Sequence, residues 1–158
     1  MKVEILKQKG HNFLWVDDYL WMWDIPVECR AQKEIADKAY GKVLIVGYGL
    51  GIIQRLLLQN NRVDSIVTIE IYSEVVEANK KAFGKIYGDV FYCDFYKYNT
   101  ISKFDCVIGD IWEDIIPECL EKYEKFENKA NQLLKEGGKI LAWGKEFFEY
   151  LIDKRFNV

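Results

Sequence analysis

The chain contains a single histidine, His11, among its 158 residues. Neither a Ser-His-Asp triad nor a histidine-rich metal site fits this composition, because both need histidine at the reacting centre. The four cysteines, at positions 29, 93, 106 and 119, form no C-x-x-C pair. This spacing indicates reduced thiols rather than a disulfide framework or a zinc site. We therefore expect a cytoplasmic protein whose site holds no metal.

The sequence also lacks long apolar runs and an excess of basic residues. No run approaches the roughly 20 apolar residues of a transmembrane helix, and the first four residues do not resemble the start of a signal peptide. The net charge is −3, with acidic and basic residues intermixed, whereas nucleic-acid-binding domains usually carry a basic patch. We expect a small-molecule substrate, and neither nucleic acid nor membrane as a partner.

Three glycines stand at alternate positions, Gly47, Gly49 and Gly51, directly after the apolar run 43–46. A second apolar run with helical spacing begins at Ile52. This pattern predicts a buried strand, a tight turn and the start of a helix. Because glycine tolerates positive φ and has no Cβ, backbone N–H groups in such a turn can approach a ligand closely.

Strands and helices alternate from residue 42 onward. The predicted strands are 43–46, 65–71, 90–93, 105–108 and 139–143, and the predicted helices are 27–40, 52–60, 73–83, 117–135 and 146–154. This alternation predicts a parallel sheet covered by helices on both faces. The pattern of residues 1–25 predicts a small antiparallel hairpin or meander. We expect a single domain over 1–158, with 26–158 as the cofactor-binding core.

Acidic residues lie at or just beyond the ends of three of the predicted strands, at Glu70, Asp94 and Asp110. The carboxyl ends of parallel strands meet at one rim, where ligands of such sheets bind. Glu70 lies 23 positions after Gly47, a spacing that suits an acid binding both ribose hydroxyls of a nucleoside. The glycine spacing G-x-G-x-G differs from the G-x-G-x-x-G of dinucleotide sites, which favours a cofactor without a pyrophosphate.

This set of motifs resembles those of class I S-adenosylmethionine-dependent methyltransferases. The resemblance covers about residues 40–145 and implies an α/β, Rossmann-like three-layer sandwich. It also implies S-adenosylmethionine, or its decarboxylated form, as the cofactor. The expected substrate is a small, amine-bearing molecule.

The resemblance assigns roles to residues at each strand end. Those expected against the methionine part of the cofactor are Gly47, Tyr48 and Gly49, and Gly51 is also expected to contact the cofactor. Glu70 is expected to hold the ribose hydroxyls and Ile71 to pack on the adenine. Asp94 is expected to accept from the adenine amino group, while the Phe95 N–H donates to the ring. Asp110 is expected to face the transfer centre as the catalytic residue, because a carboxylate can orient an amine and take its proton.

One departure points to a branch of the superfamily. Ile45 stands where many methyltransferases have an acid, and the stretch 43–47 is similar to the strand of spermidine synthases. Those enzymes also have a β segment ahead of their core. Their catalytic loop reads Asp-x-x-Asp-Pro, whereas here 110–114 reads Asp-Ile-Trp-Glu-Asp with no proline following. Only Asp110 matches that loop.

Three further side chains are candidates for contact with a ligand. The stretch 23–26, Trp-Asp-Ile-Pro, is similar to the Trp-Glu-x-Pro segment of guanidino-group methyltransferases. That similarity implies that Asp24 pairs with Asp110 around a cationic substrate; the alternative is a capped helix start. Trp112 is a candidate for stacking on the substrate, with core packing as the alternative. Tyr48, between two glycines, is expected on the ligand side of the turn.

Three functions are compatible with these features. The first is a methyltransferase, the second an aminopropyltransferase of the spermidine synthase type, and the third a non-catalytic relative that binds a nucleoside or a protein. The predicted core has no hairpin after its last strand to cover the sheet edge. Either the N-terminal hairpin extends the sheet instead, or a second subunit covers that edge, so a homodimer is compatible with the sequence.

Overall fold

The computed structural model describes residues 1–156. The chain begins with three antiparallel strands: β1 (Val3–Gln8), β2 (His11–Val16) and β3 (Tyr19–Trp23). Tight turns join them, with positive φ at Lys9, Gly10 and Asp17. The register shift between Leu14 and Trp15 leaves Trp21 of β3 without a partner in β2, so β3 contains a bulge there. The N-terminal segment is thus a three-stranded meander, and β3 forms one of its edges.

Five parallel strands form the second sheet, as the alternating pattern predicts. They are β4 (Gly41–Val46), β5 (Val63–Glu70), β6 (Asp89–Tyr92), β7 (Phe104–Gly109) and β8 (Leu134–Ala142). Their order is β6-β5-β4-β7-β8. From β4, the chain adds β5 and β6 on one side of the sheet and then β7 and β8 on the other side. The switch in strand order therefore lies between β4 and β7, where α/β sheets bind ligands.

Five α-helices accompany the strands within residues 1–156. They are α1 (Pro26–Asp37), α2 (Ile52–Leu58), α3 (Ser73–Phe83), α4 (Leu120–Leu133) and α5 (Lys145–Phe156). A 3₁₀ turn, Pro117–Cys119, precedes α4, so the predicted helix 117–135 is divided and shortened. The chain passes from α4 into β8 without a loop, so Gly137 lies within β8. The N-cap of α3 is Tyr72, and Ser73 is its first residue.

The two faces of β4 build two separate parts of the core. Leu44 and Val46 pack into a cluster with Phe126 and Phe148 of α4 and α5. Val43 and Ile45 belong to a second cluster, with side chains of α1 and α2. Successive side chains of a strand point to opposite faces, so a strand buried on both faces is apolar throughout. This explains the continuous apolar run before the glycine turn.

The N-terminal meander is attached to the parallel sheet through a third apolar cluster. Leu14 of β2, which is fully buried, packs there with Leu50, Val75 and Val76. This contact places β3 beside the glycine turn: a Cβ on Gly49 would lie 2.6 Å from the Met22 sulfur. The meander thereby forms one side of the region beyond the strand ends.

Candidate functional site

The glycine turn between β4 and α2 is open on the side that faces the cavity. Gly47, Gly49 and Gly51 have φ values of +92°, +58° and +71°, which side-chain-bearing residues rarely adopt. A Cβ on Gly47 would meet only the Ile111 side chain, at 4.0 Å. The turn therefore leaves room for a ligand against its backbone.

Glu70 is fixed by backbone hydrogen bonds at the end of β5. Its Oε1 accepts from the N–H of Tyr48 and its Oε2 from the N–H of Tyr72, each at 2.9 Å. The side chain is only 6% exposed but lines the cavity. A carboxylate has about four acceptor positions, so each oxygen keeps one for a ligand hydroxyl. This geometry suits the predicted contact with a ribose.

The residues predicted around the adenine surround the end of β6. Asp94 Oδ1 accepts from the Tyr96 N–H at 2.9 Å and so caps a 3₁₀ turn, Phe95–Lys97. Ile71 is 54% exposed and lines the same cavity. The Phe95 ring is buried in the core, which leaves its backbone as the part available to a ligand.

Asp110 follows β7 directly beside the glycine turn, because Gly109 pairs with Val46 in the parallel sheet. Gln32 of α1 donates from Nε2 to Asp110 Oδ2 at 3.2 Å and to Glu28 Oε1 at 3.0 Å. Gln32 is almost fully buried, so its amide holds the two carboxyl groups together. Glu28 and Gln32 were not predicted; their i, i+4 spacing on one helix face was the available signal.

Burial of the Asp110 carboxyl group raises its pKa to about 7. The Gln32 hydrogen bond acts in the opposite direction, because it stabilises the charged form, while the negative charge of Glu28 raises the pKa further. A carboxyl group that titrates near neutral pH is suited to accept a proton from a bound amine.

Asp24 does not form the predicted pair with Asp110. Its carboxylate accepts from the backbone N–H and the side-chain amide of Asn12, at 2.6 and 2.7 Å. It is not among the residues that line the cavity. Glu28, four positions further along, provides the second carboxyl group beside Asp110. Pro26 occupies the first turn of α1, so the stretch 23–26 leads into a helix, but its N-cap, Ile25, makes no side-chain capping hydrogen bond.

Two aromatic side chains proposed for ligand contact lie in the core. Trp112 is 4% exposed, and its indole N–H donates to the Trp143 carbonyl at 3.1 Å. Its ring packs edge-to-face with three other rings, so core packing is the correct alternative for most of its surface. The Tyr48 hydroxyl accepts from the Tyr87 N–H at 3.0 Å. The Tyr48 side chain therefore turns into the third cluster, and its backbone forms the turn.

The strand ends and β3 enclose a cavity of about 750 Å³, a size typical of sites for drug-sized ligands. The carboxylates that line it are Glu28, Glu70, Asp94, Asp110 and Glu113. Among the described residues that line it, none is Lys, Arg or His. Glu113 is paired with Lys122. The cavity consequently favours a ligand that carries positive charge.

No group of three or more metal-ligating side chains was found among residues 1–156. The same part of the chain contains no helix with the length and apolar character needed to span a bilayer.

A parallel sheet with a glycine turn and acids at its switch point defines the class of Rossmann-like cofactor-binding proteins. Within that class, the family model of the spermine/spermidine synthase domain matches residues 33–153. The chain therefore belongs to the spermine/spermidine synthase domain family. The predicted superfamily and its spermidine synthase-like branch are confirmed.

Curated relatives are ribosomal RNA methyltransferases by name. The chain is 28% identical over 127 residues to the ribosomal RNA small subunit methyltransferase C of Actinobacillus pleuropneumoniae serotype 5b, covering 77% of this chain and 38% of the relative. It is 32% identical over 99 residues to the small subunit methyltransferase A of Cytophaga hutchinsonii, covering 61% and 38%. The chain thus spans less than two fifths of these relatives. Their names stand against the prediction that excludes nucleic acid as a partner.

Solved methyltransferase structures share the fold. An S-adenosylmethionine-dependent methyltransferase from Clostridium acetobutylicum superposes with a TM-score of 0.53 at 15% identity, covering 74% of this chain and 50% of the other. The glycopeptide N-methyltransferase MtfA in complex with S-adenosylmethionine gives 0.52 at 16%, covering 73% and 52%. The predicted fold is confirmed, and the predicted type of cofactor agrees with these comparisons.

Proposed function

We propose that the chain is an S-adenosylmethionine-dependent methyltransferase that acts on an amine-bearing acceptor. One observation carries this proposal: a carboxyl group with a pKa near 7, Asp110, adjoins the open glycine turn in a cavity lined by carboxylates. An amine acceptor needs a group that orients it and removes a proton, and acidic walls attract the positively charged form that enters.

The residues present fit S-adenosylmethionine. The open side of Gly47 accommodates its methionine part, together with the backbone of Tyr48, Gly49 and Gly51. The free acceptor positions of Glu70 suit the two ribose hydroxyls. The adenine would then lie against Ile71, near Asp94 and the backbone of Phe95, which line the same cavity. None of these contacts requires a lysine or arginine.

Bound S-adenosylmethionine would supply a methyl group attached to a positively charged sulfur. As the acceptor nitrogen bonds to the methyl carbon, the carbon–sulfur bond breaks and the sulfur leaves as a neutral thioether. Asp110 receives the proton that the nitrogen loses. Glu28 holds negative charge beside the acceptor, and the Gln32 amide keeps both carboxyl groups in place. Transfer from an activated carbon needs little besides this alignment.

Aminopropyl transfer from decarboxylated S-adenosylmethionine is the second candidate. The matching family model favours it. The cavity favours it as well: none of its described lining residues is a cation that would pair with the carboxylate of S-adenosylmethionine, and the decarboxylated form has no such carboxylate. The missing Asp-x-x-Asp-Pro loop is the feature that places methyl transfer first.

The test is a transfer assay with both cofactors, each labelled on the group that is transferred, and a panel of primary amines. We expect labelled product from S-adenosylmethionine, and a rate about 10²–10⁴ times lower in Asp110→Asn, because that variant lacks the proton acceptor. Asp64→Asn, at an exposed position of β5, is the control and should keep full activity. Product from the decarboxylated cofactor alone would establish the second candidate. Cofactor binding without any product would contradict both.

A further inference from the structure

Strand β3 is an edge strand that is protected only by its short length and by the bulge at Trp21. Its five residues, Tyr-Leu-Trp-Met-Trp, include no charge and no proline. The other edges carry charged residues: β6 carries Asp89, β8 carries Lys135, Glu136 and Lys139, and β1 carries Glu4 and Lys7 and contacts α3. Natural edge strands are normally blocked by charges, proline or a covering element. An uncharged edge that is left at the surface is therefore a candidate for pairing with another chain.

The side chains of β3 are exposed to an unusual degree for their size. Tyr19 is 78% exposed, Trp21 63% and Trp23 40%. All five residues of the strand line the cavity that contains Asp110. A segment added along β3 would thus run beside the acidic cavity, with aromatic surface available to its apolar side chains.

The charge of the region decides which segment fits. Of the carboxylates that line the cavity, only Glu113 has an ion-pair partner among the described residues. The turn before β3 adds Asp17 and Asp18, which are exposed. A lysine side chain is long enough to reach from a strand into a neighbouring cavity and carries the complementary charge.

We propose that an extended, basic polypeptide segment pairs with the open edge of β3 and inserts a lysine side chain into the cavity as the acceptor. This inference rests on the proposed methyltransferase function, since it names the acceptor of the same site. Backbone hydrogen bonds to β3 supply affinity that does not depend on sequence, and the acidic cavity selects the lysine.

Two other occupants fit the charges less well. In a second copy paired antiparallel through β3, Asp18 at the start of one strand would approach Asp24 after the end of the other, and like charges repel. An RNA strand would stack its bases on the tryptophans, but its phosphates would face a surface without described cations among the lining residues.

The experiment measures peptide binding by calorimetry without any cofactor. The probe is a short, end-blocked peptide of alternating Thr and Val with a central Lys. Matched probes have Glu in place of Lys, or N-methyl groups on alternate backbone amides. We expect the Lys peptide to bind at least about tenfold more tightly than either matched probe, because one lacks the complementary charge and the other cannot pair with β3. Equal affinity for all three would overturn the proposal.

Trp21→Lys tests the location of binding. It places a cation on the exposed strand and should weaken binding of the Lys peptide at least about tenfold. Leu58→Lys, a similarly exposed apolar position at the end of α2, should leave binding unchanged. Equal effects of both variants would overturn the proposal. So would binding of a short oligouridine that Trp21→Lys strengthens, or a dimer in sedimentation that Trp21→Lys dissociates.

This test separates the docking surface from the chemistry. Peptide binding without methyl transfer would leave the surface established and contradict the proposed function. Methylation of free amines by a protein that binds none of the peptides would support the proposed function and overturn the peptide acceptor.

Discussion

Asp110 is the residue whose environment has the clearest thermodynamic consequence. Its pKa is raised to about 7, compared with about 3.9 in an unfolded chain. Between these two values the folded state binds more protons than the unfolded state, so this group lowers the free energy of unfolding as pH rises. The loss begins near pH 4 and is complete above about pH 7.

Asp110→Asn should therefore be increasingly stabilised relative to the unchanged protein as pH rises from about 4.5 to about 8. The expected gain between these two conditions is on the order of 2–4 kcal/mol, because each pKa unit corresponds to about 1.4 kcal/mol. Urea denaturation at both pH values measures it. The effects of titrating groups that do not interact with Asp110 cancel in the comparison. A constant difference between the two proteins would contradict the raised pKa.

A second prediction at the scale of single residues concerns the effect of Gln32 on the pKa of Asp110. Its hydrogen bond stabilises the charged form of Asp110 and so lowers the pKa of that group. Gln32→Leu should raise the pKa of Asp110 above about 7, as followed by carboxyl carbon NMR. Gln59→Leu, at an exposed position after α2, should leave the titration unchanged. An unaltered midpoint in Gln32→Leu would show that the amide does not support the carboxyl group.

The site could be predicted from the sequence only in part. Glu70, Asp94 and Asp110 were found because each lies at or just beyond the end of a predicted parallel strand, and strand ends converge. The Gln32–Asp110 contact joins residues 78 positions apart, and no local pattern specifies which helix face meets which strand end. The buried orientations of Tyr48 and Trp112 likewise depend on packing partners in other elements.

The glycine turn can be tested as an element. Gly51 and Gly84 have similar φ values, +71° and +78°, at the ends of two helices. A Cβ on Gly51 would lie 2.8 Å from the Tyr48 hydroxyl oxygen, whereas a Cβ on Gly84 would meet nothing within 4 Å. Both alanine variants carry a backbone cost of about 1–2 kcal/mol. Only Gly51→Ala adds the steric cost of displacing a buried ring, roughly 1–3 kcal/mol.

Thermal or urea unfolding of the two variants measures the difference. We expect Gly51→Ala to be the less stable by that steric contribution and Gly84→Ala to show the backbone cost alone. Equal stability would contradict the tight packing of Tyr48 beneath the turn.

At the scale of elements, the parallel strands were the most predictable part of the fold. The two central strands, β4 and β7, are short apolar runs buried on both faces, a pattern that the sequence displays directly. The end of α4 was not predictable: its helical pattern continues up to Leu133, and β8 begins at the next residue. The turn residues that normally mark such a boundary come three positions later, at Gly137 and Gly138.

In the whole molecule, the N-terminal meander and the parallel sheet together shape one acidic cavity. The meander contributes β3, and the parallel sheet contributes the turn and the carboxylates. A net charge of −3 distributed in this way favours cationic ligands. Cofactor and acceptor binding should both weaken as salt concentration rises, because screening reduces the attraction.

The central claim is that the glycine turn and Glu70 hold the nucleoside and methionine parts of an adenosylmethionine-type cofactor. Calorimetric titration with S-adenosylmethionine, its decarboxylated form, S-adenosylhomocysteine and NAD tests this directly. Glu77→Gln, an exposed position of α3, is the control for Glu70→Gln. The control variant should bind like the unchanged protein.

We expect the first three compounds to bind and NAD not to bind. Glu70→Gln should weaken binding about 10–100-fold, because hydrogen bonds from the ribose hydroxyls to a charged group are worth about 1.5–3 kcal/mol. Binding of NAD alone, or an affinity for S-adenosylmethionine that Glu70→Gln leaves unchanged, would contradict the account.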